Sequence, residues 1–218
     1  MRDEDIDPMI AILREEMPRF PPPLIDGSNE SSQTPFRILI ATILSLRTKD
    51  TLTAVVAPRL FALADTPASM LALGPERLAE TIYPVGFYRT KAQNIIQICQ
   101  ILLEKYNGEV PSDLDQLLEL PGVGRKTANL VVTMGFGLPG ICVDVHVHRI
   151  SNRWGYVNTK NPDATELALR AKLPQKYWLE YNTLLVTLGQ NICHPTSPRC
   201  SVCPVSSFCE RNGVLRSR

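Results

Sequence analysis

The sequence predicts an almost wholly α-helical protein, and three observations carry that expectation. Between Gly86 and Lys105, Ala92, Ile95, Ile96, Cys99, Leu102 and Leu103 recur at helical spacing and share one apolar face. Thr34-Pro35, Thr66-Pro67 and Asn161-Pro162 each set a capping side chain before a proline suited to the first helical position. Finally, Pro121-Gly122-Val123-Gly124 forms a glycine-bearing turn between two segments that each suit a short helix, Ser112 to Glu119 and Arg125 to Met134.

Taken in order, the elements follow from local chemistry. The segment Arg19 to Ser32 is rich in proline and polar residues and reads as a linker. After Thr34, Leu39, Ile40, Ile43 and Leu44 are expected in the core. Pro58 falls inside the apolar run Leu52 to Leu63 and should kink or split that helix, since it removes one backbone donor. Ser112 opens S-D-L-D, a capping-box analogue with Asp in place of Glu at the third position. Leu117, Leu120, Leu130 and Val131 extend the core, and composition breaks near Gly137-Leu138-Pro139-Gly140. No internal repeat of fixed period is seen.

The 218 residues suffice for one large domain or two small ones, with 44% hydrophobic and 21% charged residues as in ordinary soluble proteins. A net charge of +1 gives no bulk sign of a nucleic-acid partner. Charge is uneven, however. Met1 to Phe20 carries three arginines against six carboxylates, whereas Pro121 to Arg153 and Gly189 to Arg218 each carry four cations against one acid. Two basic regions on a near-neutral chain fit a one-sided footprint for an anionic partner, and they fit scattered solvated arginines as well. The acidic start lacks an apolar signal-peptide core and argues against a mitochondrial address. The weakly polar stretch Leu130 to Val143 holds Gly135, Gly137, Pro139 and Gly140, so it reads as a helix end and turn rather than a membrane span. A cytoplasmic protein is expected, where disulfides are rare and six cysteines call for another explanation.

The candidate functional residues begin at the hairpin. Gly122 and Gly124 permit unusual backbone angles and leave N–H groups uncovered; with Val123, Arg125 and the positive end of the next helix they suit a phosphate. A plain helix–helix turn would use the same glycines. Lys126 is harder to explain structurally, because a cation in the first turn opposes the helix dipole. The helix end, partial burial and neighbouring Arg125 would favour its neutral amine, the form a Schiff-base nucleophile requires. Asp144 stands where it would cap a helix starting at Val145, with one carboxylate oxygen left over for chemistry. The alternation Val143, Asp144, Val145, His146, Val147, His148 also fits a strand, which would put a carboxylate and two imidazoles on one face for a metal. Cys193, Cys200, Cys203 and Cys209 follow C-x6-C-x2-C-x5-C and suit either Zn²⁺ or an iron–sulfur cluster. Cys99 and Cys142 read as small core residues.

L-P-G-V-G-R-K-T-A-N (Leu120 to Asn129) resembles the helix-hairpin-helix of the endonuclease III family of DNA base-excision glycosylases. Val143 to Arg149 resembles that family's catalytic aspartate segment, and Gly86 to Ala92, Asn107 to Pro111 and the cysteine spacing extend the likeness over nearly the whole chain. The resemblance implies a helix rather than a strand after Asp144. It also implies a [4Fe-4S] cluster on the four cysteines and two helical domains. One spans 28–138 and carries the hairpin; the other joins 1–27 to 139–218 and carries the cluster. By the same resemblance, Lys126 attacks C1′ of a flipped nucleotide, Asp144 assists base departure and proton transfer, and the backbone is cut by β-elimination. Relatives that remove mismatched adenine or thymine carry serine or tyrosine at the lysine position.

Flipping a nucleotide costs roughly a few kcal/mol and leaves a gap to be filled. The family fills it from two loops, which correspond here to Leu44 to Asp50 and Pro84 to Tyr88. Arg47 stands where the family has glutamine and Phe87 where it has an aliphatic residue, so both gap-filling positions depart from the pattern. His146, Arg149, His194 and Arg199 are further candidate DNA contacts, the last two held by the cluster loop. The expected partner is duplex DNA with damaged bases or abasic sites, bound by a monomer with no membrane association and located at the nucleoid through DNA. The activity expected is glycosylase and AP lyase on oxidised pyrimidines. The rival expectations are a monofunctional mismatch or uracil glycosylase, a non-catalytic iron–sulfur DNA-binding protein, and a metal hydrolase on Asp144, His146 and His148.

Overall fold

The computed structural model describes residues 1–21 and 34–218; most of the expected linker, and the domain boundary expected at Ser28, lie outside them. All regular structure among the described residues is helical. The main helices are α1 (Ile6–Glu16), α2 (Pro35–Ser45), α3 (Asp50–Phe61), α4 (Pro67–Ile82), α5 (Tyr88–Lys105), α6 (Leu114–Leu118), α7 (Arg125–Leu130), α8 (Val145–Arg153), α9 (Pro162–Lys172) and α10 (Trp178–Asn191). Two compact units result: α1 with Ile141–Arg218, and α2 through Gly140. No described helix is long and apolar enough to cross a membrane.

Local chemistry sets where the helices of the second unit begin. Thr34 and Thr66 each accept a first-turn N–H, from Arg37 and Ser69, and each is followed by proline. Helix α3 runs through Pro58 without a break, while α4 is interrupted at Gly74, whose φ of 72° lies outside helical space. Helix α5 buries Ala92, Ile95, Ile98, Cys99 and Leu102 against α2 and α4. Burial pushes the Cys99 thiol up to about 12, as befits a core residue with no anionic role.

Two expectations are corrected here. The cap of α6 is Asp113 rather than Ser112. Asp113 is extended, and its Oδ1 accepts the N–H groups of Asp115 and Gln116 at 3.0 Å each. A carboxylate at the positive helix end is the stronger acceptor, so the helix begins one residue later. The expected helix Arg125 to Met134 is α-helical only to Leu130 and continues as a π-helical turn, Val131–Gly135. Within that turn Thr133 Oγ1 donates to the carbonyls of Asn129 and Leu130, at 2.9 and 3.2 Å.

The other unit has its own core. Helix α1 contributes Met9, Ile10 and Leu13, which pack with Trp154, Tyr181 and Leu188. Arg14 on α1 holds Glu180 on α10 through two hydrogen bonds of 2.5 and 2.8 Å. Asn161 caps α9 by accepting from Ala164 N. Beyond Ile192 the described chain has only two three-residue 3₁₀ turns, Cys200–Val202 and Ser206–Phe208.

Candidate functional site

The hairpin lies in the unit that ends at Gly140. Gly122 has φ of 77°, a left-handed conformation, and an added Cβ there would stand 2.5 Å from Asn94 Nδ2. Gly124 is extended and leads into α7 with no side-chain cap, and first-turn amides have no intrahelical partners. Val123, expected to face DNA, is 7% exposed, packs into the core and gives its N–H to Leu120 O at 3.1 Å. It anchors the turn, and the exposed backbone is that of Gly122 and Gly124. Lys126 lies in the first turn of α7 as expected. The partial burial expected of it is not seen, because its side chain is exposed, beside half-buried Arg125.

In the same unit the two gap-filling candidates come together. Arg47 and Phe87 both have left-handed backbone, φ 54° and 58°. The Arg47 guanidinium lies 4.6 Å from the centroid of the Phe87 ring, a cation–π contact, and Phe87 is 58% exposed. A residue not singled out from the sequence stands behind them. Lys91 is buried on α5, and desolvation pulls its pKa down to about 8.

Asp144 belongs to the other unit, where it resolves the strand-or-helix ambiguity. It caps α8, with Oδ1 accepting from His146 N at 2.8 Å and Val147 N at 2.9 Å, which leaves Oδ2 outside the cap. Among the described residues no three His, Cys, Asp or Glu side chains converge on a single metal ion, so the Asp144, His146, His148 metal set is not assembled. His148 Nδ1 instead pairs with Thr165 Oγ1 at 2.7 Å, and burial lowers its pKa. His146 is half-buried against Gly189 of α10, with its Nδ1 3.1 Å from Arg149 Nη2.

Arg149, expected to face DNA, turns inward. Its Nη2 donates to Cys193 O at 2.8 Å, and its Nε is buried without a partner. Arg153, four residues on and not anticipated, does more. It is 8% exposed, and Nη1 donates to Cys193 Sγ at 3.4 Å and His194 O at 2.6 Å, while Nη2 donates to Pro195 O at 2.6 Å. The signal was present in the sequence as two arginines spaced i, i+4 on one helical face inside a basic segment. Half-buried His194 has its pKa lowered by burial and then by the charges of Arg199, Arg218 and Arg149; Arg199 itself is exposed.

Cys193, Cys200, Cys203 and Cys209 line one small cavity, floored by Trp154, Leu188 and Ile192. None of the six cysteines is paired in a disulfide. N–H groups point at the sulfurs: Arg153 Nη1 at Cys193, and Arg211 N at Cys209 at 3.3 Å. Donors aimed at sulfur and four thiols around one cavity suit a group held by thiolates. A zinc ion and a multi-iron cluster each take four thiolates, and this donor set suits both.

Residues 40–175 match the model of the HhH-GPD superfamily base excision DNA repair proteins. Endonuclease III of Thermotoga maritima is 45% identical over 199 residues, 91% of this chain and 91% of that protein. Two solved structures superpose with TM-score 0.86. One is a non-covalent endonuclease III–DNA complex, 36% identical, covering 97% of this chain and 96% of that one. The second is a trapped endonuclease III–DNA covalent intermediate, the estranged-adenine complex, 37% identical and covering 97% of both chains.

Proposed function

This chain belongs to the HhH-GPD superfamily of base excision DNA repair proteins, and from that premise we propose how its own residues carry the reaction. It is a DNA glycosylase with AP lyase activity, and the substrate class we assign is oxidised pyrimidines and abasic sites in duplex DNA. The observation that carries the residue-level reading is the exposed Lys126, in the first turn of a helix that follows an uncapped glycine hairpin. The Lys126 amine forms a bond to C1′ of the flipped nucleotide as the bond from C1′ to the base breaks. Asp144, with Oδ1 occupied by the cap, has Oδ2 to assist departure of the base and the proton transfers. As the nitrogen gives up a proton, the C1′–O4′ bond breaks, O4′ takes up a proton and the opened sugar is left as an imine; loss of a C2′ proton then expels the 3′ phosphate by β-elimination.

Around that chemistry, Gly122, Gly124 and Arg125 hold a phosphate, and Arg47 and Phe87 fill the gap in the stack. Arg199 and His194 supply further phosphate contacts, while Arg149 and His146 support the α8 scaffold. Cys193, Cys200, Cys203 and Cys209 would hold a [4Fe-4S] cluster, which when bound supplies a cross-link for a segment without a helical core. The protein acts as a monomer on DNA in the cytoplasm, at the nucleoid.

Borohydride trapping on a duplex with one thymine glycol tests the assignment. Wild type should form a covalent adduct and Lys126→Ala should form none while still binding the duplex. An adduct of undiminished yield in the variant would move the nucleophile elsewhere. No adduct in either protein, with base release intact, would favour a monofunctional enzyme.

A further inference from the structure

Lys91 is 6% exposed, an unusual place for an ammonium. Its three protons are all used. Nζ donates to Leu44 O at 2.8 Å, Leu46 O at 2.6 Å and Thr48 Oγ1 at 3.0 Å. The two carbonyls belong to the C-terminal end of α2, where a helix leaves acceptors without partners and where a cation is favoured. Thr48 Oγ1 then accepts the N–H of Gly86 at 3.1 Å. Thr48, inside the Arg47 segment, therefore bonds directly to the turn that carries Phe87, while Lys91, whose own N–H donates to Phe87 O at 3.0 Å, ties the same segment to the start of α5 through its ammonium. The two segments also touch directly, since a Cβ on Gly86 would stand 2.7 Å from Arg47 O.

What these bonds brace is strained. Arg47 and Phe87 both hold positive φ, and each non-glycine residue in such a region costs on the order of 1–3 kcal/mol. Such conformations persist when neighbours over-determine them. Here the strained residues are exposed and stacked on one another, so the bracing displays a cation–aromatic pair on the surface. Removing the ammonium would strip its donor from all three acceptors in the Leu44–Thr48 segment while leaving the apolar core of the unit intact.

We propose that Lys91 is a positioning residue that locks the Arg47 segment and the Phe87 turn into one rigid unit, which enters the duplex as a piece. The proposal rests on the reading of Arg47 and Phe87 as the residues that fill the gap in the stack. Lys91→Met keeps the apolar stem and removes the donors. In the full-length, cluster-loaded protein, 2-aminopurine opposite a non-cleavable abasic analogue reports entry into the stack by its fluorescence. Phe87→Ala should suppress the fluorescence rise, Lys91→Met should suppress it to the same level, and the double variant should be no worse. Single-turnover cutting at a lesion in paired duplex should fall about 10- to 100-fold in Lys91→Met. Imine trapping at an abasic site in single strand, which needs no gap filled, should be unchanged.

A normal fluorescence rise in Lys91→Met, alongside a suppressed one in Phe87→Ala, overturns the proposal and leaves the gap-filling reading standing. A normal rise in Phe87→Ala overturns both. Should Lys91→Met fail to fold, Thr48→Val removes the hydroxyl that joins Lys91 to Gly86. It must then reproduce the suppressed fluorescence, and a normal rise in that variant overturns the proposal.

Discussion

The unit built from α2 to Gly140 and the segment beyond Ile192 are held by opposite means. In the first, helices bury Leu39, Leu44, Leu60, Leu78, Ile95 and Leu102 completely or nearly so, and apolar burial is the dominant favourable force. In the second, the chain from Ile192 to Arg218 has no long helix and buries Ile192, Pro198 and Val205. It is tied instead by polar clamps from α8 and by four thiols around one cavity. A segment so poor in apolar contact needs a cross-link, whereas the helical unit can present its strained, exposed groups on a self-sufficient core.

That contrast can be broken most severely by removing the iron–sulfur cluster proposed for the four cysteines. Amide exchange in 192–218 should rise towards unfolded rates while α2 and α5 keep their protection, read by mass spectrometry of the loaded and stripped protein. Equal protection in both forms would mean that the clamps suffice without the cluster. Next in size, Leu102→Ala should lower the unfolding free energy of the helical unit by about 2–5 kcal/mol, with the cluster's visible absorbance retained. A concerted loss of the chromophore at the same denaturant concentration would show that the two regions melt as one. Smallest, Asp113→Ala should cost about 1 kcal/mol and Ser112→Ala almost nothing, by urea titration. The reverse order would return the cap of α6 to the serine.

The features legible in the sequence are those decided within a few residues. Thr34, Thr66 and Asn161 cap helices because each acceptor sits beside the amides it serves. Asp144 does the same, although its alternating surroundings fit strand and helix alike. Illegible features depend on partners far along the chain. Lys91 reaches Leu44 and Leu46 across more than forty residues, and Arg153 reaches Cys193 and His194 across a similar span. Neither residue type suggests a buried role, and only the fold brings the acceptors to them. Arg149, an arginine in a basic segment, likewise finds its nearest acceptor in a main-chain carbonyl more than forty residues on.

The π-helical turn Val131–Gly135 lies immediately after the helix that carries Lys126. A π turn holds one residue more than a regular ladder needs, and one residue of an α-helix is about 100° of rotation. The turn thus acts as a phase shifter between Lys126 and the Phe136 end of the helix. Deleting one residue within it would restore an ordinary ladder at little cost in backbone hydrogen bonds, yet would swing the lysine by about a quarter of a revolution. Chain length in this stretch is therefore an angular setting, and an insertion or deletion harmless to the helix would re-aim the amine.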